Sequence, residues 1–254
     1  MDDRFATKVA LVTGGSNGLG RAITQGLVSE GARVGILDLQ ASSIFADDDR
    51  VLTVVGDVAD PETVRKAFEA VLARWGTVDL LVNDAAAYPN ALVVDMPVEE
   101  WRQVFEVNAS GTFLCCQAFA RHRLARGGGG KIVNITTGSA RSPRPAGAAY
   151  AASKSAIETL SCTLAMELGP HGINVNVVAP GYIDVRGWTE AFPDRASDEL
   201  RARLVSSIPL GVAGRPTDIA NAVLFLLSEA AGHISGAVLA VDGGSGAGRF
   251  GLRP

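Results

Sequence analysis

The stretch from Lys8 to Glu30 constrains the fold of this chain more than any other. Lys8 to Val12 is a short apolar, β-rich run that ends in Thr13-Gly14-Gly15-Ser16-Asn17-Gly18-Leu19-Gly20, after which Arg21 to Glu30 takes up helical periodicity. Strand, glycine-rich turn and helix in that order form the context a dinucleotide-binding fingerprint needs. There Gly14 permits the tight bend, Gly18 lets backbone N–H groups approach a pyrophosphate, and Gly20 permits close packing of helix on strand. The helix N-terminus then faces the phosphates. The spacing is TGxxxGxG rather than GxGxxG, and a glycine-rich turn with no ligand is the alternative.

The same alternation continues along the chain. Arg33 to Leu37 reads as a strand ending in Asp38, eighteen residues after Gly20. A carboxylate there can accept hydrogen bonds from ribose hydroxyls and repels a 2′-phosphate. Position 17 is Asn and position 39 is Leu, so no cation stands ready to offset that phosphate, and NAD(H) is expected over NADP(H). The alternative for Asp38 is an exposed loop aspartate. Val51 to Val55 reads as a third strand, running into Gly56-Asp57-Val58, where a side chain can reach adenine. Asp60-Pro61 is an N-cap followed by proline at the first helical position. Val64, Ala67, Phe68, Val71, Leu72 and Trp75 follow at helical spacing and form one buried stripe.

Val78 to Val82 is the next strand, followed by Asn83-Asp84-Ala85-Ala86-Ala87-Tyr88, and Met96-Pro97 opens one long helical region through Arg126. Asn108 inside it is poor for helix propensity, so it has either a core partner or a functional water. Lys131 to Ile135 is a strand running into Thr136-Thr137-Gly138-Ser139; a helix spans Tyr150 to Leu168; a strand at Ile173 to Val178 leads to Ala179-Pro180-Gly181-Tyr182. Ile183 to Pro209 has mixed periodicity and carries Trp188 and Phe192, which suits a helical lobe over a site. Thr217 caps a last helix, Ala237 to Val241 is a final strand, and the glycine-rich tail from Ser245 to Pro254 is expected to be loosely ordered. With no linker-like break, residues 1–254 read as one α/β domain built on a doubly wound parallel sheet.

Chemistry enters with Tyr150-Ala151-Ala152-Ser153-Lys154. Four residues apart on a helix, the two functional side chains share a face, about 5 to 6 Å apart at Cβ. An ammonium beside a phenol favours phenolate and lowers a pKa that is ordinarily about 10. Such a pair can exchange a proton near neutral pH, as interconversion of an alcohol and a carbonyl requires. On its own the spacing also describes a solvated polar stripe.

Other partners find little support. A net charge of −4, with Lys and Arg scattered, offers no basic footprint for nucleic acid or anionic lipid. No apolar run approaches the roughly 18 residues of a spanning helix, and the acidic start Met1-Asp2-Asp3-Arg4 resembles no targeting segment. Cys115, Cys116 and Cys162 lack paired spacing and read as small core residues of a reducing compartment, which places the chain in the cytoplasm. His122, His171 and His233 are far apart, so no metal is expected.

Taken together, TGGSNGLG at 13–20, Asp38, Asp57, NDAA at 83–86, Asn108, NITTGSA at 134–140, YAASK at 150–154 and PG at 180–181 resemble the short-chain dehydrogenase/reductase family in order and spacing over nearly the whole chain. The resemblance implies a Rossmann-type sheet of about seven strands with helices on both faces, and hydride transfer between nicotinamide and a secondary alcohol or ketone. It also implies a homotetramer or homodimer that pairs the long helices. Tyr150 would be the general acid/base, Lys154 would lower its pKa and hold the nicotinamide ribose, and Asn108 would hold a relay water. Thr137 stands where the family has serine, thirteen residues before the tyrosine. Cofactor contacts are implied for Gly14, Ser16, Asn17, Gly18, Leu19, Asp38, Asp57, Val58, Asn83, Ala85, Tyr150, Lys154, Pro180, Gly181 and Ile183. Tyr88, Ser139, Tyr182 and Trp188, with Arg141 and Phe192, would line a substrate pocket suited to a polyol or sugar, a cyclic alcohol or an aryl ketone. Arg141 is either a carboxylate anchor or a solvated loop residue. Asp84 replaces an asparagine associated with holding the central sheet, Ala86 a glycine near the cofactor, and Val185 a threonine near the carboxamide. A dinucleotide-binding sensor without catalysis is the alternative function on the same fold.

Overall fold

The computed structural model describes residues 3–185 and 198–248. Its strands are β1 (Val9–Thr13), β2 (Arg33–Asp38), β3 (Val51–Val55), β4 (Leu80–Asn83), β5 (Gly130–Ile135), β6 (Ile173–Pro180) and β7 (Val238–Val241). They form a parallel sheet in the order β3-β2-β1-β4-β5-β6-β7. The direction of winding reverses between β1 and β4, which opens a crevice outside their carboxyl ends, where ligands bind in such sheets.

Around the sheet lie α1 (Gly18–Ser29), α2 (Pro61–Trp75), α3 (Val98–Phe105), α4 (Gly111–Arg126), α5 (Ala148–Leu168), α6 (Asp198–Ser206) and α7 (Pro216–Leu227). Successive strand residues face opposite sides, so a strand apolar at every position needs helices on both. Ala10, Val12, Leu80 and Val82 meet Ile23 and Leu27 of α1 and Ile219 and Val223 of α7. Val9, Leu11 and Leu81 meet Val64, Phe68 and Val71 of α2 and Phe119 of α4 on the other face. The doubly wound architecture expected from the alternation is therefore the one observed. At the start of α2 the Asp60 carboxylate accepts the N–H groups of Glu62 and Thr63, with Pro61 at the first helical position.

The helix expected from Met96 to Arg126 is not continuous. α3 begins at Val98, and Glu106–Ser110 widens into a π-helical turn before α4. Asn108 lies in that turn. A Cβ at Gly111 would come within 2.9 Å of Val58 Cγ2, so glycine lets α4 approach the loop after β3. α5 begins at Ala148, slightly ahead of Tyr150. Cys162 is exposed on α5, unlike the buried Cys115 and Cys116, and so is not a core residue. Of the lobe at 183–209, Trp188 and Phe192 lie outside the described residues, as does the end of the tail, 249–254.

A buried polar chain holds the centre of the sheet. Asn134 on β5 accepts a hydrogen bond from Asn83 Nδ2 on β4 (2.8 Å) and donates to Ser161 Oγ on α5 (2.8 Å). Left unpaired, each such buried group costs about 1 to 3 kcal/mol, so the chain fixes α5 against β4 and β5 at one register.

Candidate active site

The glycine turn closes only with glycine at its key positions. Gly14 and Gly18 have φ of 69° and 53°, in the left-handed region, and a Cβ on Gly20 would lie 2.1 Å from the Gly14 carbonyl oxygen. A Cβ on Gly14 would sit 3.0 Å from Ala85 Cα, so the turn lies directly against the chain leaving β4. Thr13 Oγ1 fastens the two by accepting the N–H groups of Asp84 (3.1 Å) and Ala85 (3.2 Å). Ser16 N–H donates to Asp38 Oδ2 (3.0 Å) and Ser16 Oγ to the Gln40 carbonyl (2.9 Å), which holds Asp38 at the rim of the turn. Leu19 packs its side chain on the core behind α1. These features fit a dinucleotide: a bare backbone at a helix N-terminus for phosphates, and a fixed carboxylate with lone pairs left for ribose hydroxyls. After β3, Asp57 is exposed and its Oδ1 accepts the Ala59 N–H (2.9 Å), while the Val58 side chain is buried in the core.

The second cluster sits at the carboxyl ends of β4 and β5. Lys154 is only 2% exposed, and its ammonium donates to the Ile135 carbonyl (2.8 Å). One turn away, the Tyr150 ring centroid is 5.9 Å from Lys154 Nζ. The Thr137 side chain is near enough to the Tyr150 phenol to lower its pKa, and Thr137 Oγ1 accepts the Ser139 N–H (3.2 Å). Asn108, fully buried, has core partners: Oδ1 accepts the Ala87 N–H (2.8 Å), and Nδ2 donates to the Ala87 carbonyl (2.9 Å) and Ser153 Oγ (2.9 Å). Ser153 Oγ in turn donates to the Tyr150 carbonyl (2.9 Å). The π-helical turn thus clamps the first turn of α5, and of the two sequence alternatives for Asn108 the core partner is observed.

The electrostatics reverse one expectation. The Tyr150 phenol is pushed up to about 12, first by burial and then by the Asp84 charge, against the nearby Thr137 side chain. Counting along the helix paired the phenol with Lys154 alone; the fold adds a carboxylate beside both. Burial pushes the Asp84 carboxyl up to about 7, opposed by the Lys154 charge and by the nearby Gly20 N–H. Burial likewise pushes the Lys154 ammonium down, and Asp84 opposes it. Holding the sheet falls to Asn83 rather than to position 84. The Asn83 amide donates to Asn134 and toward Cys116 Sγ (3.4 Å), so that side chain is turned into the sheet, away from the crevice.

Around the mouth, the Tyr88 ring meets the Tyr150 ring edge-on at 6.3 Å. Arg141 pairs with Glu158 (3.1 Å), which also accepts Thr136 Oγ1 (3.2 Å), so it is a paired loop residue rather than a free anchor. Arg144, which sequence reasoning missed, donates to Asn90 Oδ1 (3.0 Å), and its charge reaches Tyr150. Flanking Pro143 and Pro145 are the only sequence cue to that ordered loop. Ser153 was also missed, although its place beside Lys154 in YAASK is a cue. Pro180 ends β6, and Gly181 N–H donates to the Val241 carbonyl (3.0 Å), where a Cβ would meet Asp242 at 2.7 Å. Tyr182 and Ile183 line a groove with Leu210, Val212 and Gly243 at the ends of β6 and β7. Among the described residues no helix is long and apolar enough to cross a membrane.

Known proteins are similar to this chain in sequence and fold. Residues 14–246 match the enoyl-(acyl carrier protein) reductase family. The chain is 33% identical to sorbitol dehydrogenase of Cereibacter sphaeroides, over 95% of this chain and 98% of that protein. It is 36% identical to D-threitol dehydrogenase of Mycolicibacterium smegmatis, over 96% and 94%. It is also 36% identical to 3-oxoacyl-(acyl-carrier-protein) reductase of Staphylococcus aureus, over 94% and 98%. The crystal structure of a short chain dehydrogenase from Bacillus anthracis superposes with a TM-score of 0.89 at 31% identity, covering 98% of this chain and 99% of that one. With that glycine turn, that sheet order and Tyr150, Lys154 and Asn108 drawn together, the chain belongs to the short-chain dehydrogenase/reductase family of nicotinamide-dependent oxidoreductases.

Proposed function

We propose that this protein is an NAD(H)-dependent oxidoreductase that interconverts a secondary alcohol and a ketone of a small, polyhydroxylated substrate. The observation that carries this reading is the buried ammonium of Lys154, held by the Ile135 carbonyl one helical turn from the Tyr150 ring. The names of the sorbitol and D-threitol dehydrogenase relatives support the substrate class.

The dinucleotide supplies the two-electron acceptor or donor; the protein supplies the proton and the geometry. Tyr150 Oη gives a proton to the substrate oxygen as a ketone is reduced and takes it back as an alcohol is oxidised. Burial and Asp84 hold the phenol protonated, so donation is the role the protein alone favours. The Thr137 hydroxyl orients the same oxygen, and its methyl group narrows the pocket relative to serine. Lys154 keeps N–H donors for a ribose beyond the one given to Ile135. Asn108 acts through Ser153, fixing the turn of α5 that carries Tyr150. Tyr88 and Ser139 flank the substrate at the mouth of this single domain. Gly14, Gly18 and Ala85 leave room for the dinucleotide, and Asp38 accepts its adenosine ribose hydroxyls.

We further infer that copies assemble in twos or fours in the cytoplasm. Val94, Val98, Trp101 and Phe113 are exposed at and around α3 and α4, and the edge strand β7 exposes Leu239. Exposed apolar faces and an open sheet edge of this kind are ordinarily covered by a partner. A light-scattering mass of a single 26.3 kDa chain contradicts the assembly.

Two further outcomes are expected. NADH binds more tightly than NADPH in titrations of nicotinamide fluorescence, and Asp38→Ala narrows the gap; equal affinities in the unaltered protein refute the cofactor assignment. In a panel of polyols and other secondary alcohols followed by NADH absorbance, Thr137→Ser keeps substantial turnover, whereas Thr137→Val loses about 10² to 10³ in rate, the worth of one transition-state hydrogen bond. Ser139→Ala is measured alongside. An active Thr137→Val with an inactive Ser139→Ala moves the role to Ser139.

A further inference from the structure

The carboxylate of Asp84 takes no part in the proton transfer above, yet it faces the charged groups of both clusters. Thr13 Oγ1 at the end of β1 holds its backbone N–H (3.1 Å), and the Gly20 N–H in the first turn of α1 works against burial in setting its carboxyl's pKa. A Cβ on Gly20 would lie 3.0 Å from Asp84 Oδ2, so the carboxylate abuts the glycine turn itself. From α5 it faces the Lys154 ammonium and the Tyr150 phenol, and from the end of β2 the Asp38 carboxylate adds a second negative charge. An asparagine at position 84 would fit beside the glycine turn equally well. Packing therefore does not explain the charge, which must be sought in what the site does.

Negative charge at this place is unfavourable for a ligand that brings phosphates to the α1 N-terminus, because like charges then crowd one desolvated corner. A carboxylate relieves the conflict by taking a proton. We propose that Asp84 is a proton-linked positioning residue of the dinucleotide site: the counter-charge of Lys154 in the free protein, it takes up one proton from solvent when a pyrophosphate lies against the glycine turn. This rests on the dinucleotide reading above. Burial has already brought the carboxyl into the neutral range, to about 7. An added negative charge nearby multiplies its preference for the neutral form by about ten or more. The neutral acid has the same size as the carboxylate, so the turn keeps its shape.

The sign follows from linkage. The carboxyl titrates at higher pH with ligand bound than without, so the affinity is fully present below the free protein's titration range and is lost as pH rises through it. NADH affinity is therefore highest at about pH 6 and about ten-fold weaker by about pH 8. Lys154 is the neighbour whose own titration gives the same sign, and Asp84→Asn separates the two, since a slope carried by Lys154 survives that substitution.

The test is NADH binding by fluorescence across this range for the unaltered protein and Asp84→Asn, together with a ¹³Cγ NMR titration of Asp84 with and without NADH. Through-bond correlation to the Ala85 amide assigns the Asp84 signal without the variant. The expected result is an affinity that falls with pH in the unaltered protein and stays level in Asp84→Asn, with an Asp84 midpoint near neutral that moves upward on NADH binding. An affinity independent of pH, a slope that persists in Asp84→Asn, or a midpoint that NADH leaves in place overturns the proposal. Absence of NADH and NADPH binding at any pH refutes instead the dinucleotide reading on which it rests.

Discussion

An ammonium taken out of water needs an acceptor and a counter-charge, and the candidate site is organised around giving both to Lys154. The acceptor is the Ile135 carbonyl, at the last position of β5. The counter-charge is Asp84, just past the end of β4. Both positions exist because parallel strands end together at one edge of the sheet, the edge onto which the glycine turn after β1 also opens. If α5 were rotated or shifted by one residue, Lys154 would meet neither partner. The polar chain Asn83–Asn134–Ser161 and the clamp Asn108–Ser153 prevent that shift.

The same arrangement sets the state of Tyr150. A cation four residues away on a helix favours phenolate, but a carboxylate close to both groups works against it, and burial of the ring adds to that. In the free protein the phenol is accordingly a proton donor. Thr137 and Arg144 pull the other way, from the strand end and from the loop before α5. The balance among these groups belongs to the fold, since they come from four separate stretches of chain.

Much of this was legible in the sequence, for physical reasons that can be named. Strands apolar at successive positions and bounded by turn residues announce a sheet covered on both faces, and Asp60-Pro61 announces a helix start whose capping bonds are present. The glycine turn was legible because few residues other than glycine adopt the φ found at Gly14 and Gly18. The π-helical turn at Glu106–Ser110 was not, because no residue type encodes it; contacts of Asn108 with Ala87 and Ser153, distant in sequence, select it. Arg141 and Arg144 look equivalent as loop residues, and only the position of Glu158 on α5 shows which one is paired with a carboxylate. The departure at position 84 was visible as a changed letter. Its consequence was not, because a carboxyl's protonation depends on burial and on charges from other elements.

The account centres on proton exchange by the Tyr150 hydroxyl, and the most direct measurement is Tyr150→Phe assayed for turnover and for NADH affinity in the same preparation. Loss of about 10² to 10⁴ in turnover with unchanged affinity is the predicted result, because only the exchangeable proton is removed. Turnover near that of the unaltered protein on a good alcohol substrate would contradict the account.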